Sequence, residues 1–325
     1  MTLRRFAKMI GYSPSTVSKA FSGAKDIKSD TREEIFRAAK QIGIFEKFYK
    51  SPKKNKTVAV IVPEFNSGLY VKSLSLISEQ LSQQGAVAVF SENNFSKEKT
   101  DELISYYSSG NVTDGIIVFD NSVAAKKYTP VPVVFFGKRN DPFADSVYTD
   151  IFTGICETIF NFKLLKHAKI AFIGETNTTE KENEFKNAMR YCELTVGENY
   201  IVKSDLRHED AGRDGMKKLL ALPDRPTAVL AAYDDIAIGA VAYAKERGLS
   251  APKDFSIVGM DNSRLAENGD IMLSSIDYHV DEICKLLVSR LWKKIDNPNY
   301  CIAQKTEIKS SLVIRNSIGP CPDGQ

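Results

Sequence analysis

The sequence predicts an α/β chain, with a small three-helix head followed by a larger body of two parallel-sheet lobes. Three observations carry this. Residues 2–23 read as two capped helices joined by a tight turn. From Thr57 onward, short apolar runs alternate with helical segments in two successive series, the order of parallel sheets covered by helices. The charge is also split: residues 1–57 hold about 14 Lys and Arg against about 5 Asp and Glu, although the whole chain is only +3. The remainder is then acidic, roughly −6. A basic head on an acidic body fits contact of the head alone with phosphates.

In the head, Thr2 is placed to cap a first helix whose Leu3, Phe6, Ala7 and Ile10 share a face. Gly11 stops it. Ser13 is a second cap, and Pro14 follows at the first helical position, where its missing N–H is no loss. Val17, Ala20 and Phe21 form the inner face of this second helix. The outer face carries Ser15, Ser18, Lys19 and Ser22, a stripe of short hydroxyls with one cation and no acid. Such a stripe approaches a surface closely and suits a major groove, although a helical hairpin packed on another element has the same pattern. A third helix is expected from about Thr31 to Ile42, capped by Thr31 or Asp30, with Ile35, Ala38, Ala39 and Ile42 inward.

Phe45 to Thr57 is Lys-rich, contains Pro52 and reads as a linker. The first series of the body then has strands at Val58–Val62, Ala86–Ser91, Gly115–Phe119 and Val131–Phe136, with helices at Leu69–Gln84 and Lys99–Ser108. The second has helices at Asp150–Leu165, Glu180–Cys192, Asp210–Leu220 and Ile236–Arg247. Its strands fall at Lys169–Gly174, Tyr200–Lys203, Thr227–Ala232 and Phe255–Gly259. Two such series imply two similar lobes, with a ligand crevice at the carboxyl ends of their strands.

The 325 residues, 43% of them hydrophobic, suffice for two or three cored domains. No apolar run is long enough for a membrane helix and the start does not read as a signal peptide, so no membrane partner is expected. Five scattered cysteines without CxxC point to reduced thiols in a cytoplasmic protein and to no metal site. GxxxxGK[ST], GxGxxG after the first strand, HExxH and GxSxG are all missing, so no catalytic residue and no cofactor is expected. His208-Glu209-Asp210 reads as a cap and surface loop.

Ala7, Gly11, Ser13, Ser15-Thr16-Val17-Ser18-Lys19 and Gly23 stand where the LacI/GalR (lactose-repressor) family has its DNA-binding motif. Thr31-Arg32-Glu33 resembles its third helix. Lys166 to Gly174, Pro226 to Ala240 and Gly248 to Asp261 are similar to its later segments, in order. The resemblance implies a periplasmic-binding-protein-like body and a homodimeric, ligand-responsive regulator of operator DNA, repression being the commoner habit. The expected domains are 1–45 (head), 46–57 (degenerate hinge) and 58–325 (effector binding and dimerisation). The lobes are placed at about 58–149 with 280–302, and about 150–277 with 303–318.

Pro14, Ser15 and Lys19 are expected to read bases. Thr16, Ser18, Ser22, Lys28 and Thr31 match family positions that touch phosphates. The family's hinge helix levers a leucine into the minor groove, but no leucine stands in this linker; Phe48 or Tyr49 is a substitute wedge, and a flexible tether is the other reading. The chain ends without heptads, so no coiled-coil tetramer is expected.

For the effector, the resemblance assigns Asp261 to ligand hydroxyls. Asp150 matches a second hydroxyl-binding acid and equally suits a helix cap. Lys181 replaces an Arg that forks onto sugar hydroxyls, which implies a ligand with a negative group or a looser contact. Tyr233 replaces an Asn and offers a ring to stack on. Leu69 and Tyr70 are cleft walls or plain packing. Tyr278 and His279 fall on a lobe crossover. The effector is expected to be sugar-like but not an ordinary hexose read in the ordinary way. A sugar-binding α/β protein, or a regulator answering to a protein corepressor, is the alternative.

Overall fold

The computed structural model describes all residues except 23, 25, 49–54, 110, 111, 121, 124–128, 268–270 and 323–325. The chain divides into two compact units, Met1–Lys56 and Thr57–Gln325.

In the first unit, α1 (Leu3–Met9), α2 (Pro14–Phe21) and α3 (Ser29–Gln41) enclose Phe6, Ala7, Val17, Ala20, Phe21, Ile35 and Ala39. Thr2 Oγ1 accepts from Arg5 N (3.4 Å) and Ser13 Oγ from Thr16 N (3.0 Å), so both expected caps form. Gly11 takes φ +77°, a left-handed turn that a side chain would strain.

α3 begins earlier than its pattern predicts. Lys28 sits at the cap without a side-chain bond, so neither Thr31 nor Asp30 is the cap; Asp30 lies in the first turn, where its charge suits the helix dipole. The expected linker opens with a further short helix, α4 (Phe45–Phe48). The Phe48 ring stacks on Phe6 at 6.4 Å and meets Phe21 at 5.9 Å, while Phe45 meets Phe36 edge-on at 5.1 Å. The head therefore continues past residue 45, because these rings complete a small core. Phe48 is a core residue and not a free wedge. Tyr49 and residues 50–54 of the linker lie outside the described residues.

The second unit opens with β1 (Thr57–Val62), α5 (Gly68–Gln83), β2 (Val87–Glu92), α6 (Lys97–Ser108), β3 (Gly115–Val118), β4 (Val133–Phe136) and β5 (Ser146–Asp150). The next lobe follows as α7 (Ile151–Leu164), β6 (Ile170–Glu175), α8 (Thr179–Tyr191), β7 (Ile201–Ser204) and α9 (His208–Leu220). It continues with β8 (Ala228–Ala231), α10 (Asp234–Lys245), β9 (Ser256–Met260), α11 (Arg264–Glu267) and β10 (Ser274–Asp277). The chain then returns to the first lobe as α12 (Val280–Asp296) and β11 (Lys305–Lys309), and β12 (Ser311–Val313) closes the second.

Among the described residues there are two six-stranded sheets, ordered β2-β1-β3-β4-β5-β11 and β7-β6-β8-β9-β10-β12. All pairs are parallel except β10 with β12. The shared order puts a switch point between the first and third strand of each lobe, where doubly wound sheets take ligands.

The last crossing between lobes falls at Ser310, not near residue 303. Lys305–Lys309 pairs in register with Ser146–Asp150 and so belongs to the first sheet. Both strands escape a periodicity reading because they are short, polar and near the sheet edge. Ser310 donates from N (3.1 Å) and Oγ (2.7 Å) to Asp150 O, which ties two crossings together.

Helices α9 and α10 cross at unusually close range. A Cβ on Gly212 would lie 1.9 Å from Ile236 O, and one on Gly239 would lie 2.0 Å from Glu209 O. Only glycine fits at this contact. The crossing fixes the N-termini of both helices, which carry Arg207 and Tyr233 to the cleft.

Candidate functional site

Between the lobes of the second unit lies a cavity of about 490 Å³, reached from the carboxyl ends of both sheets. Glu64 and Tyr70 enter it after β1, Phe95 after β2, Phe119 after β3. From the other lobe come Glu175, Lys181, Arg207, Tyr233, Asp261 and Tyr278.

Lys181 is central to the second lobe's wall. Its Nζ donates to Ala232 O at 2.8 Å and lies 3.6 Å from Asp261 Oδ1. The rings of Tyr233 and Tyr278 flank it, with centroids 5.5 and 5.4 Å from Nζ. It is therefore held in the cleft and not splayed among Glu180, Glu182 and Glu184.

Asp261 is buried on a left-handed backbone, φ +95°. Burial pushes its carboxyl up, and the Lys181 ammonium pulls it back down. Asp234 lies beneath, accepting from Ser275 Oγ (2.6 Å) and Ser263 N (2.7 Å). Burial, with Asp261 adding like charge, pushes the Asp234 carboxyl up to about 7. Asp261 Oδ1 and the Tyr278 hydroxyl are buried with no hydrogen-bond partner among the described residues. Two polar atoms of the cleft wall are thus poised for a hydrogen-bonding guest.

The lobes meet across this cavity. Arg207 Nη1 and Nη2 donate to the two Glu64 oxygens at 2.6 and 3.0 Å, and Arg207 Nε lies 3.5 Å from Glu175 Oε2. Phe95 stacks on the guanidinium at 4.9 Å. His208 heads α9, its N donating to the Tyr233 hydroxyl (3.1 Å) and its Nδ1 lying 3.2 Å from Asp235 Oδ2. It is half-buried beside the cleft, not part of a surface loop.

Of the residues expected at the effector, Leu69, Tyr70, Lys181, Tyr233 and Asp261 line the cavity. Asp150 does not: its Oδ1 accepts from Phe152 N (3.0 Å) and its Oδ2 from Thr153 Oγ1 (2.6 Å), capping α7. Glu64, Phe95, Glu175 and Arg207 escape the sequence reading. Each stands at or just after the carboxyl end of a strand, the position from which parallel sheets line a crevice, and that position is the signal that points to them.

In the head, Pro14, Ser15, Ser18, Lys19, Ser22 and Lys28 are exposed, and Thr16 and Thr31 are half-buried. The Thr16 hydroxyl pairs with Ser13 Oγ at 2.8 Å. The face expected to meet DNA is thus open along α2. Among the described residues, no helix is long and apolar enough to cross a membrane, and no group of three His, Cys, Asp or Glu is placed to hold a metal.

Residues 161–318 match the model of a periplasmic binding protein-like domain. Catabolite control protein A of Priestia megaterium is 26% identical over 96% of this chain and 99% of that protein. The chain resembles the LacI/GalR family of transcriptional regulators over nearly its whole length. Solved structures agree on the LacI/GalR fold. The lac repressor dimer bound to operator and the anti-inducer ONPF matches with TM-score 0.71 at 19% identity, over 98% of this chain and 99% of that one. The regulator CelR in complex with cellobiose gives 0.69 at 22%, over 98% and 99%.

Proposed function

We propose that this chain is a sequence-specific DNA-binding repressor that works as a cytoplasmic homodimer and answers to a small, neutral, hydroxyl-rich molecule in the cleft. The observation that carries the ligand class is internal charge pairing. Glu64 and Glu175 face Arg207, and Asp261 faces Lys181. The buried acids that line the cavity, Glu64, Glu175 and Asp261, each face a cation, so the cavity binds through hydrogen bonds and aromatic faces more than through an unpaired buried charge. Lys181 therefore does not call for an anionic effector. The cellobiose complex of CelR supports a sugar-like guest. The lac repressor on its operator supports DNA for the head.

The mechanism is a coupling of two equilibria. A ligand that favours one arrangement of the lobes shifts DNA affinity by its differential affinity for the two arrangements. Pro14, Ser15 and Lys19 read bases, and Thr16, Ser18, Ser22, Lys28 and Thr31 hold phosphates. Leu69, Tyr70, Lys181, Tyr233 and Asp261 hold the effector.

A thermal-shift panel of neutral sugars, sugar phosphates, nucleosides and amino acids tests the ligand class. A ligand at 100 times its Kd adds about 2.7 kcal/mol to the folded state. A neutral polyol hit that weakens in Asp261→Asn supports the reading. A hit confined to phosphorylated or acidic compounds overturns it, and silence across the panel turns attention to a protein corepressor.

A further inference from the structure

The single cation of α2 is paired with an acid in the loop that follows the helix. Lys19 Nζ lies 2.5 Å from Asp26 Oδ2, with both side chains about half exposed, 49% and 58%. Asp26 is also held in place. Ala24 N donates to Lys19 O (3.1 Å), Arg32 Nη2 donates to Ala24 O (2.5 Å), and Ile27 packs on the head core. The chain is thus anchored on both sides of Asp26, which lays its carboxylate beside Lys19. The Lys19 ammonium in turn holds the Asp26 carboxyl below the usual carboxylate range.

On charge alone an acid is out of place here. No Asp or Glu stands between Gly11 and Lys25, and the head is strongly basic. A carboxylate near phosphates weakens general affinity. It is useful only where it meets a donor, and in the major groove the donors are exocyclic amino groups. A G·C pair shows the O6 and N7 acceptors of guanine beside the N4 amino group of cytosine. An ammonium and a carboxylate held side by side match that pattern.

We propose that Asp26 is a specificity-determining residue: with Lys19 it forms a donor–acceptor pair that reads one G·C base pair of the operator. Lys19 donates to guanine and Asp26 accepts from cytosine N4. Their charges cancel, so the pair adds little to binding on random DNA. The inference rests on the reading of the head as a DNA-binding unit.

The test uses the full chain as wild type, Asp26→Ala and Asp26→Asn. Each selects from a pool of randomised duplexes, and Kd is then measured on the enriched and on random duplexes across a salt series. The wild type is expected to enrich a motif with an invariant G·C pair that both variants relax. Asp26→Ala should bind random duplex more tightly, with a steeper salt slope, because Lys19 is released to phosphate. Its preference for the enriched duplex should fall about tenfold, in line with loss of one base-pair contact. Both variants should keep the wild-type Tm, since Asp26 is exposed. An unchanged preference, or an equal gain on both duplexes, means that Asp26 only subtracts charge and overturns the proposal. If the wild type enriches no motif, the DNA reading itself fails and the proposal falls with it.

Discussion

Arg207 grips Glu64 from across the cleft with two hydrogen bonds, 2.6 and 3.0 Å, and each residue belongs to a different lobe. Nothing else in the cavity joins the lobes with so short a bidentate contact among the described residues. Glu64 is buried, whereas Arg207 is about one-third exposed, so the pair is only partly screened by solvent. A fork of this kind holds a cleft closed by itself.

Glu64→Gln should therefore loosen closure. It keeps an acceptor for one arm of Arg207 but removes the charge, at a cost of about 1–3 kcal/mol. Urea unfolding measures the cost, and amide hydrogen exchange at residues 63–70 and 205–210 measures the opening. Equal midpoints and equal exchange in wild type and variant would show that the fork contributes nothing to closure.

Asp261→Asn should weaken binding of the proposed sugar-like effector by roughly tenfold to a hundredfold, since the cleft loses a charged acceptor worth about 1.5–3 kcal/mol. The fold should survive, because Asp261 is tied to β10 by its backbone N and Ile276 O (2.9 Å). Dose–response thermal shifts with the panel hit give the ratio. Unaltered affinity would remove Asp261 from the effector site.

Two buried groups should set opposite pH slopes on stability. The Asp234 carboxyl is raised to about 7 by burial, against 3.8 for the ordinary group. Between those values the native state keeps a proton that the unfolded chain has lost. Its contribution is full below about 3.8 and fades as pH rises through about 7. His167 runs the other way. It is buried against Thr227 Oγ1 (2.9 Å) and Gly319 O (2.9 Å), and burial lowers its basicity below the usual 6.5. Its contribution is full above 6.5 and is lost as pH falls through the lowered value. Relative to wild type, Asp234→Asn should thus gain stability from pH 5 to pH 8. Parallel stability curves for the two proteins would contradict the assignment.

Gly239→Ala should be among the most damaging single changes in the body. The added Cβ meets the Glu209 backbone at 2.0 Å, and a backbone cannot swing aside as a side chain can. Forcing α9 and α10 apart should cost about 1–3 kcal/mol or more and displace Arg207 and Tyr233. Calorimetry should show a clear drop in Tm; an unchanged Tm would mean that the crossing is softer than its geometry.

Much of this was legible in residue order. Ser13-Pro14 announces a helix start because a hydroxyl cap and a missing N–H fit only there. Val58–Val62 announces a buried strand because both faces are apolar. Asp261 stood out because it ends such a strand, and Lys181 because it departs from a familiar Arg. Arg207 and Glu64 did not stand out, since an Arg after a short strand and a Glu after a Pro look like ordinary surface charge. Lys305–Lys309 hid for a related reason. Its Lys-Thr-Glu-Ile-Lys pattern has too little apolar content to declare a strand until Ser146–Asp150 pairs with it.

By itself the sequence determined the element types and the division into basic head and two-lobed body, because these follow from local periodicity, capping chemistry and net charge; the resemblance to the LacI/GalR family rests on the ordered motifs instead. Tertiary structure alone decided which charges neutralise one another. Arg207 and Glu64 are 143 residues apart and Lys181 and Asp261 are 80 apart in the chain. Coulomb attraction depends on distance in space and on burial, and neither is written in residue order. That pairing is the observation on which the proposal of a neutral guest rests.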